Sequence, residues 1–158
     1  MILYHGSNVE IVAIDLSKSM RGKDFGQGFY LSADKKQAEE MAVFKAMQFD
    51  GEPIVTAFDF DEQALLDEVL KAKLFEEYSL EWAEFVFANR SNQTDAPIHD
   101  YDIVYGPIAD DKVGVQIRNL IEKNITIEVF LERLKYIKGI TFQYYFGTPK
   151  AINLLKRL

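Results

Sequence analysis

A glycine-flanked turn that runs directly into an aromatic segment constrains this chain most: residues 24–34 read DFGQGFYLSAD. A dinucleotide-binding turn of the doubly wound kind would need a third glycine at position 31 and an apolar strand before the first glycine. Position 31 is Leu, and residues 17–24 read SKSMRGKD, which is polar. The segment therefore predicts a strand at 28–32 that leads into a helix. The spacing of that helix is marked by Ala38, Met41, Ala42, Phe44 or Lys45, and Phe49.

The other segments predict short strands and helices that do not alternate regularly. Strands are expected at 2–4, 28–32, 53–60, 101–106 and 141–147. Helices are expected to begin at the capping residues Ser32 or Asp34, Ser79, Asp110 or Asp111, Thr126 and Thr148. The chain is expected to end inside the last helix, residues 62–78 give no firm pattern, and 11–16 is interpreted as an extended piece. This order predicts a mixed α+β fold, and the length favours a single domain over 1–158.

Composition excludes several kinds of site. The chain has no cysteine and only two histidines, so it offers no thiol nucleophile and no thiolate or histidine-rich metal centre. A net charge of −7 argues against a general affinity for nucleic acid. The basic cluster Lys18, Arg21 and Lys23 is more typical of solvated surface, but it lies beside the glycines. Neither a signal peptide nor a membrane-spanning run is recognised, so a cytoplasmic protein without membrane contact is expected.

Three short places combine polar side chains with strands, and each also has a simple structural interpretation. At 5–7, a glycine after a strand-end histidine lets a ligand approach the backbone, although His-Gly-Ser is also ordinary turn chemistry. Tyr30 offers a flat face for stacking, or it is a core tyrosine. Gln143 shares a strand face with Tyr145 and must lie at an edge, in a pocket or in a hydrogen bond.

Taken together and in order, these segments resemble the ADP-ribosyltransferase superfamily. LYHGS at 3–7 and GQGFYLSAD at 26–34 are similar to the first two motifs of the branch that includes diphtheria toxin and the poly(ADP-ribose) polymerases. The chain further resembles a bacterial family of uncharacterised ADP-ribosyltransferase-like proteins, some encoded beside small partner proteins in what look like toxin–antitoxin arrangements. The marks of that family here are EWAEFVFANR at 81–90, DIVYGPIADD at 102–111 and QYYFGTPKA at 143–151.

The resemblance implies a split mixed β-sheet core with surrounding helices, and NAD as co-substrate. His5 would hydrogen-bond the adenosine-side ribose, Gly6 would pair its backbone with the nicotinamide carboxamide, and Ser7 would support that end. Tyr30 would stack on the nicotinamide ring, and Gly26 and Gly28 would let the strand of Tyr30 approach NAD. The implied chemistry is loss of nicotinamide from C1 of its ribose through an oxocarbenium-like transition state, followed by capture by a nucleophile on a target.

Gln143 is where the sequence departs from the pattern of that branch, which has a glutamate on the late strand. Glutamine keeps a hydrogen bond to the ribose and loses the negative charge, so transfer of a single ADP-ribose unit is expected rather than chain elongation. Asp102, Asp110 or Asp111 are alternative sources of charge, although capping explains the last two more simply. Arg90 is a candidate for gripping the pyrophosphate, and a helix-end arginine is its structural alternative.

Three functions remain open from the sequence. The first is an NAD-dependent mono-ADP-ribosyltransferase with His5, Tyr30 and Gln143 as catalytic residues, a toxin that acts on a protein or nucleic acid and is paired with a small antitoxin protein. The second is a catalytically inactive module that binds NAD, ADP-ribose or a protein partner. The third is an RNA 2′-phosphate transferase, against which the net charge of −7 argues.

Overall fold

Two β-sheets, joined at one point, form the centre of the fold in the computed structural model, which describes residues 1–158. The first sheet has the antiparallel order β1-β3-β7, formed by Ile2–Ser7, Ile54–Asp59 and Lys156–Arg157. The second has the order β2-β6-β5-β4, formed by Phe29–Leu31, Phe142–Phe146, Ile103–Pro107 and Ala72–Leu74. Only β4 and β5 run parallel. The α+β class expected from the irregular order of elements is confirmed.

The two sheets touch through a single antiparallel bridge between β1 and the end of β2. Tyr4 N–H donates to the Ser32 carbonyl at 2.8 Å, and Ser32 N–H donates to the Tyr4 carbonyl at 2.9 Å. Beyond this bridge no further ladder joins the two strands. Backbone groups alternate in direction along a strand, so Gly6 and Tyr30, two residues from the bridge, face the gap that opens there. We call this gap the split.

Five α-helices surround the sheets, at Lys35–Phe49 (α1), Leu80–Ser91 (α2), Asp111–Ile121 (α3), Ile127–Lys135 (α4) and Pro149–Ile152 (α5). Each begins at an expected capping residue, whose side-chain oxygen accepts a backbone N–H of the first turn; these caps are Asp34, Ser79, Asp110, Thr126 and Thr148. The caps confirm the helix starts expected from the sequence, since these side chains satisfy N–H groups that the helix itself leaves free.

Two hydrophobic cores lie on opposite faces of the second sheet. One fills the space between the two sheets and includes Leu3, Phe58 and Phe146. The other lies between the second sheet and helices α2 to α4, with Trp82 and Tyr145 among its members. Alternate residues of β6 therefore face different cores, as the alternation around Gln143 predicts.

Three expectations about local structure are wrong, and one stretch without a firm expectation contains a strand. The strand β1 continues through His5–Ser7 instead of ending in a turn there. Residues 11–16 are not a strand, and a short 3₁₀ helix follows at Leu16–Lys18. The stretch 62–78 contains the strand β4, and the chain ends in β7 instead of a helix. These two strands have three and two residues, which is too short for a hydrophobic period to show.

Helix α1 buries only a narrow stripe of small residues. Ala38 and Ala42 are buried against β1, whereas Met41, Phe44 and Met47 are exposed. The apolar spacing in the sequence therefore marks the helix but not its buried face. No helix of the protein has the length and apolar composition needed to cross a membrane.

Candidate functional site

His5 and Tyr30, which the sequence places 25 residues apart, are in direct contact at the split. The imidazole Nδ1 of His5 lies 2.6 Å from the Tyr30 carbonyl oxygen. The imidazole also stacks on Phe29, with the ring centroids 4.2 Å apart and the planes at 23°. Neighbouring residues of a strand point to opposite faces, so the Tyr30 ring lies on the other face of β2. A ligand that contacts both rings must therefore cross the open edge of β2.

The hydrogen bond fixes the protonation of His5. A carbonyl oxygen can only accept, so Nδ1 carries the proton and Nε2 presents a lone pair. Burial, followed by the charge of Lys45, lowers the pKa of His5 to about 3. The imidazole is therefore neutral at physiological pH, and its Nε2 is suited to accept a hydrogen bond from a hydroxyl group.

The Tyr30 side chain is held at both its hydroxyl and its ring. Its hydroxyl donates to the Gly26 carbonyl at 2.6 Å and accepts the Phe25 N–H at 3.0 Å. The ring packs edge-on to Tyr145, with centroids 5.4 Å apart, and the Lys23 ammonium lies 5.0 Å from its centroid. Burial raises the pKa of Tyr30 well above its ordinary value. The phenol therefore stays neutral and positions the ring rigidly.

Gly6 has a structural reason to be glycine that the sequence does not reveal. A Cβ atom at this position would lie 2.0 Å from the Ala38 carbonyl oxygen of α1, so any side chain would push the helix off β1. The Gly6 carbonyl faces the split and accepts the Lys45 ammonium at 2.8 Å. Ser7 is buried in β1 opposite Ile54. The backbone of Gly6 thus lies beside the split, and the absence of a side chain lets α1 pack closely on β1.

The glycines before Tyr30 are also required by contacts and backbone conformation within the protein. A Cβ atom at Gly28 would lie 2.2 Å from the Tyr145 ring. Gly26 has a φ of 97°, which side chains other than glycine rarely adopt. The glycine pattern therefore shapes the turn against Tyr145, which is a reason independent of any ligand.

Gln143 is linked to this region by a hydrogen bond to a buried carboxylate. Its amide Nε2 donates to Asp24 Oδ2 at 2.8 Å, and the Ala109 N–H donates to the same oxygen at 2.9 Å. Arg90 Nε donates to Asp24 Oδ1 at 2.7 Å, and the guanidinium also donates to the Ala109 carbonyl. The side chain expected to replace the late-strand glutamate is thus bound to an aspartate whose charge Arg90 balances. Arg90 directs its hydrogen bonds to protein atoms.

The family comparison covers this whole arrangement. A family model described as a protein of unknown function, DUF3990, matches residues 1–157. The chain belongs to the DUF3990 family. The matched range includes His5, Tyr30 and Gln143. No curated protein matches the sequence.

The other histidine of this DUF3990 chain is structural. His99 Nε2 donates to the Phe25 carbonyl at 2.7 Å, and its Nδ1 accepts the Tyr101 N–H at 3.2 Å. It borders a cavity of about 410 Å³, which Arg21, Asn89 and other polar residues also line. His5, Tyr30 and Gln143 do not line this cavity. With both nitrogens occupied, His99 has no free group for catalysis.

Two members of the site in this DUF3990 chain give no signal in the sequence. Asp24 is the first residue of the DFGQGFYLSAD stretch, and nothing in its spacing indicates that it binds Gln143, 119 residues later. Lys45 is only one of two alternatives for the helical spacing, and no local pattern indicates that its ammonium group bonds to the Gly6 carbonyl. Lys23, which lies beside the glycines in the sequence, reaches the Tyr30 ring.

Proposed function

We propose that this protein is an NAD-dependent mono-ADP-ribosyltransferase. The observation that supports this best is the convergence of both motif segments at the split. His5 lies within hydrogen-bond distance of the Tyr30 carbonyl, and the Gly6 backbone faces the same gap. Two segments that resemble the first two motifs of the superfamily thus meet where a sheet opens, and an opened strand edge offers backbone donors and acceptors to a planar amide.

Each residue has a role that fits its observed state. The free lone pair on His5 Nε2 would accept a ribose hydroxyl, and the Gly6 backbone would pair with the nicotinamide carboxamide. The fixed ring of Tyr30 would stack on the nicotinamide. With these groups holding NAD, the bond between nicotinamide and C1 of its ribose breaks, nicotinamide leaves with the bonding electrons, and a nucleophile of the target attacks C1. The chain itself contributes mainly position.

A specific observation also favours the second candidate, an inactive module that binds NAD or ADP-ribose. An oxocarbenium-like transition state is stabilised by negative charge, and glutamate would provide it. Here the amide of Gln143 bonds to Asp24, and Arg90 balances the charge of Asp24. With this arrangement the protein could still bind NAD or ADP-ribose, but it would contribute less negative charge to cleavage of the bond between nicotinamide and ribose.

The target and the partner belong to the same proposal. We infer a macromolecular target in a bacterial cell and a small antitoxin protein as a partner. The exposed apolar residues of α1, which include Phe44 and Met47, support a protein partner, because such groups gain from being covered. Co-expression of the chain with its genomic neighbour, followed by co-purification, would test this part. The variant Met47→Glu should reduce co-purification if α1 is the contact.

Labelled NAD separates an enzyme from an inert protein. The protein is incubated with NAD labelled in its adenosine half and with bacterial extract, and label in macromolecules is measured. We expect label with the unchanged chain and loss of label with His5→Ala and Tyr30→Ala. Tyr136→Ala serves as the control, since Tyr136 is 76% exposed and remote from these contacts. If no macromolecule is labelled, or if the two site variants label as well as the control, the transferase proposal is rejected.

Calorimetry separates the two candidates. Titration with NAD and with ADP-ribose, alongside chromatographic measurement of free nicotinamide, distinguishes binding from cleavage. A transferase binds NAD and releases nicotinamide, and a module binds without release. If neither NAD nor ADP-ribose binds, both candidates are rejected.

A further inference from the structure

Two lysine side chains reach the split without an acidic partner. The Lys45 ammonium donates to the Gly6 carbonyl at 2.8 Å, and the Lys23 ammonium lies 5.0 Å from the centroid of the Tyr30 ring. Both lysines are half-buried. Neither takes part in any of the eight ion pairs of the protein. Positive charge is therefore concentrated beside Gly6 and Tyr30 with no carboxylate to balance it.

The charges at the split act on one another. Burial lowers the pKa of Lys23, and burial together with the charge of Lys23 lowers the pKa of Lys45 to about 8. Both lysines also help to lower the pKa of His5. Partly desolvated cations that repel each other are costly to the folded protein, and a bound anion would offset that cost. The arrangement is thus suited to an anionic ligand.

Two other basic residues of this region, Arg90 and Arg21, have counter-charges already. Arg90 is paired with Asp24, with a nitrogen–oxygen distance of 2.7 Å. Arg21 is paired with Asp95 and also donates to the Gln93 carbonyl. An incoming anion would have to compete with these bonds, whereas the two lysines at the split offer charge that no carboxylate occupies.

We propose that Lys23 and Lys45 bind the pyrophosphate group of a dinucleotide at the split, an assignment that rests on the proposed function for the rest of the ligand. Lysine ammonium groups act as compact charges on flexible stems, so they can follow a phosphate group over several ångströms. Each hydrogen bond between an ammonium and a phosphate oxygen is charge-assisted and belongs to the strong class.

The positions of the lysines also imply an exchange of contacts. Without ligand, Lys45 occupies the Gly6 carbonyl, and Lys23 covers one face of the Tyr30 ring. These are the groups that the nicotinamide would need. If the two ammonium groups move to the pyrophosphate, the Gly6 carbonyl and the Tyr30 ring become free to contact the nicotinamide. Binding of the charged part of the ligand would therefore make room for its ring. Nicotinamide alone, which has no phosphate, should bind more weakly for this reason.

Inorganic pyrophosphate tests the site without requiring catalysis. Isothermal titration calorimetry at constant ionic strength and pH 7 is applied to the unchanged chain and to Lys23→Gln, Lys45→Gln and Lys45→Arg. The control is Lys36→Gln, because Lys36 is exposed on the same helix as Lys45. We expect each glutamine variant at the split to weaken binding about tenfold or more, which is the effect of losing one charge-assisted bond. Lys45→Arg and the control should bind within a few-fold of the unchanged chain, and circular dichroism confirms that each variant is folded.

ADP-ribose and adenosine complete the series. ADP-ribose should bind more tightly than pyrophosphate and show the same dependence on the lysines. Any binding of adenosine should not depend on the lysines. Equal binding of pyrophosphate to all variants, or no binding of either phosphate ligand to the unchanged chain, would overturn the assignment. ADP-ribose no tighter than pyrophosphate would overturn the dinucleotide and indicate a site for free phosphate anions.

The outcome is independent of the transferase assay. Lysine-dependent binding of ADP-ribose without transfer of label to any macromolecule rejects the transferase and keeps the phosphate site. Transfer of label that is equally strong in Lys23→Gln and Lys45→Gln, with unchanged KM for NAD, keeps the transferase and rejects the phosphate site.

Discussion

Replacement of Lys45 by methionine should change how the stability of the protein depends on pH. Methionine keeps the length of the side chain and removes the charge. Burial and the charge of Lys23 lower the pKa of Lys45 from 10.5 to about 8 in the folded protein. Between these two values the unfolded chain binds more protons than the folded one, so stability rises with pH over this window. The lowering corresponds to about 3 kcal/mol in the free energy of unfolding.

Urea denaturation at pH 7, 8, 9 and 10 measures this effect. The free energy of unfolding of the unchanged chain, minus that of Lys45→Met, should stay constant up to about pH 8 and then rise by about 3 kcal/mol, mostly by pH 10. Lys36→Met, on the exposed face of the same helix, should show no such rise. A difference that stays flat across the series, or that falls with increasing pH, would show that Lys45 is not a partly desolvated cation without a counter-charge.

Three further predictions concern the contacts that shape the site. Gly6→Ala should lower the free energy of unfolding by about 3 kcal/mol or more in urea denaturation, because its Cβ would lie 2.0 Å from the Ala38 carbonyl oxygen; an unchanged midpoint would contradict the packing. Arg90→Met should cost about 3 kcal/mol because it leaves the buried Asp24 carboxylate without its counter-charge, and Asp24→Asn in the same chain should recover most of the loss. The imidazole proton signals of His5 in NMR spectra should not titrate between pH 7 and pH 4, since its pKa is about 3; a midpoint near 6.5 would contradict the neutral assignment.

The parts of the fold that depend on local chemistry were predictable from the sequence. Asp34, Ser79 and Thr148 were expected to start helices, and they do, because a cap acts within a few residues of itself. The strands β4 and β7 were not predictable, since they pair over long sequence distances and are too short to show a period. The turn expected at His5–Ser7 failed because pairing with β3 extends β1 through it.

The contacts of the candidate residues could not be predicted from the sequence. The resemblance singled out His5 and Tyr30, and their contact across the split follows from a bridge that only the folded chain reveals. The reason for Gly6 lay in the backbone of α1, which no local pattern indicates. Gln143 was expected at an edge, in a pocket or in a hydrogen bond, and its hydrogen-bond partner, Asp24, comes from a distant loop.

We propose that the split between β1 and β2 receives the nicotinamide end of NAD. An NMR titration of the isotope-labelled chain with NAD, in which the backbone amide signal of each residue is followed separately, tests this assignment. We expect the largest shifts at Gly6 and Tyr30, whose backbones face the split, and smaller ones around Lys23 and Lys45. Signals at the split that do not move at saturating NAD, or shifts confined to the cavity beside His99, would contradict the claim.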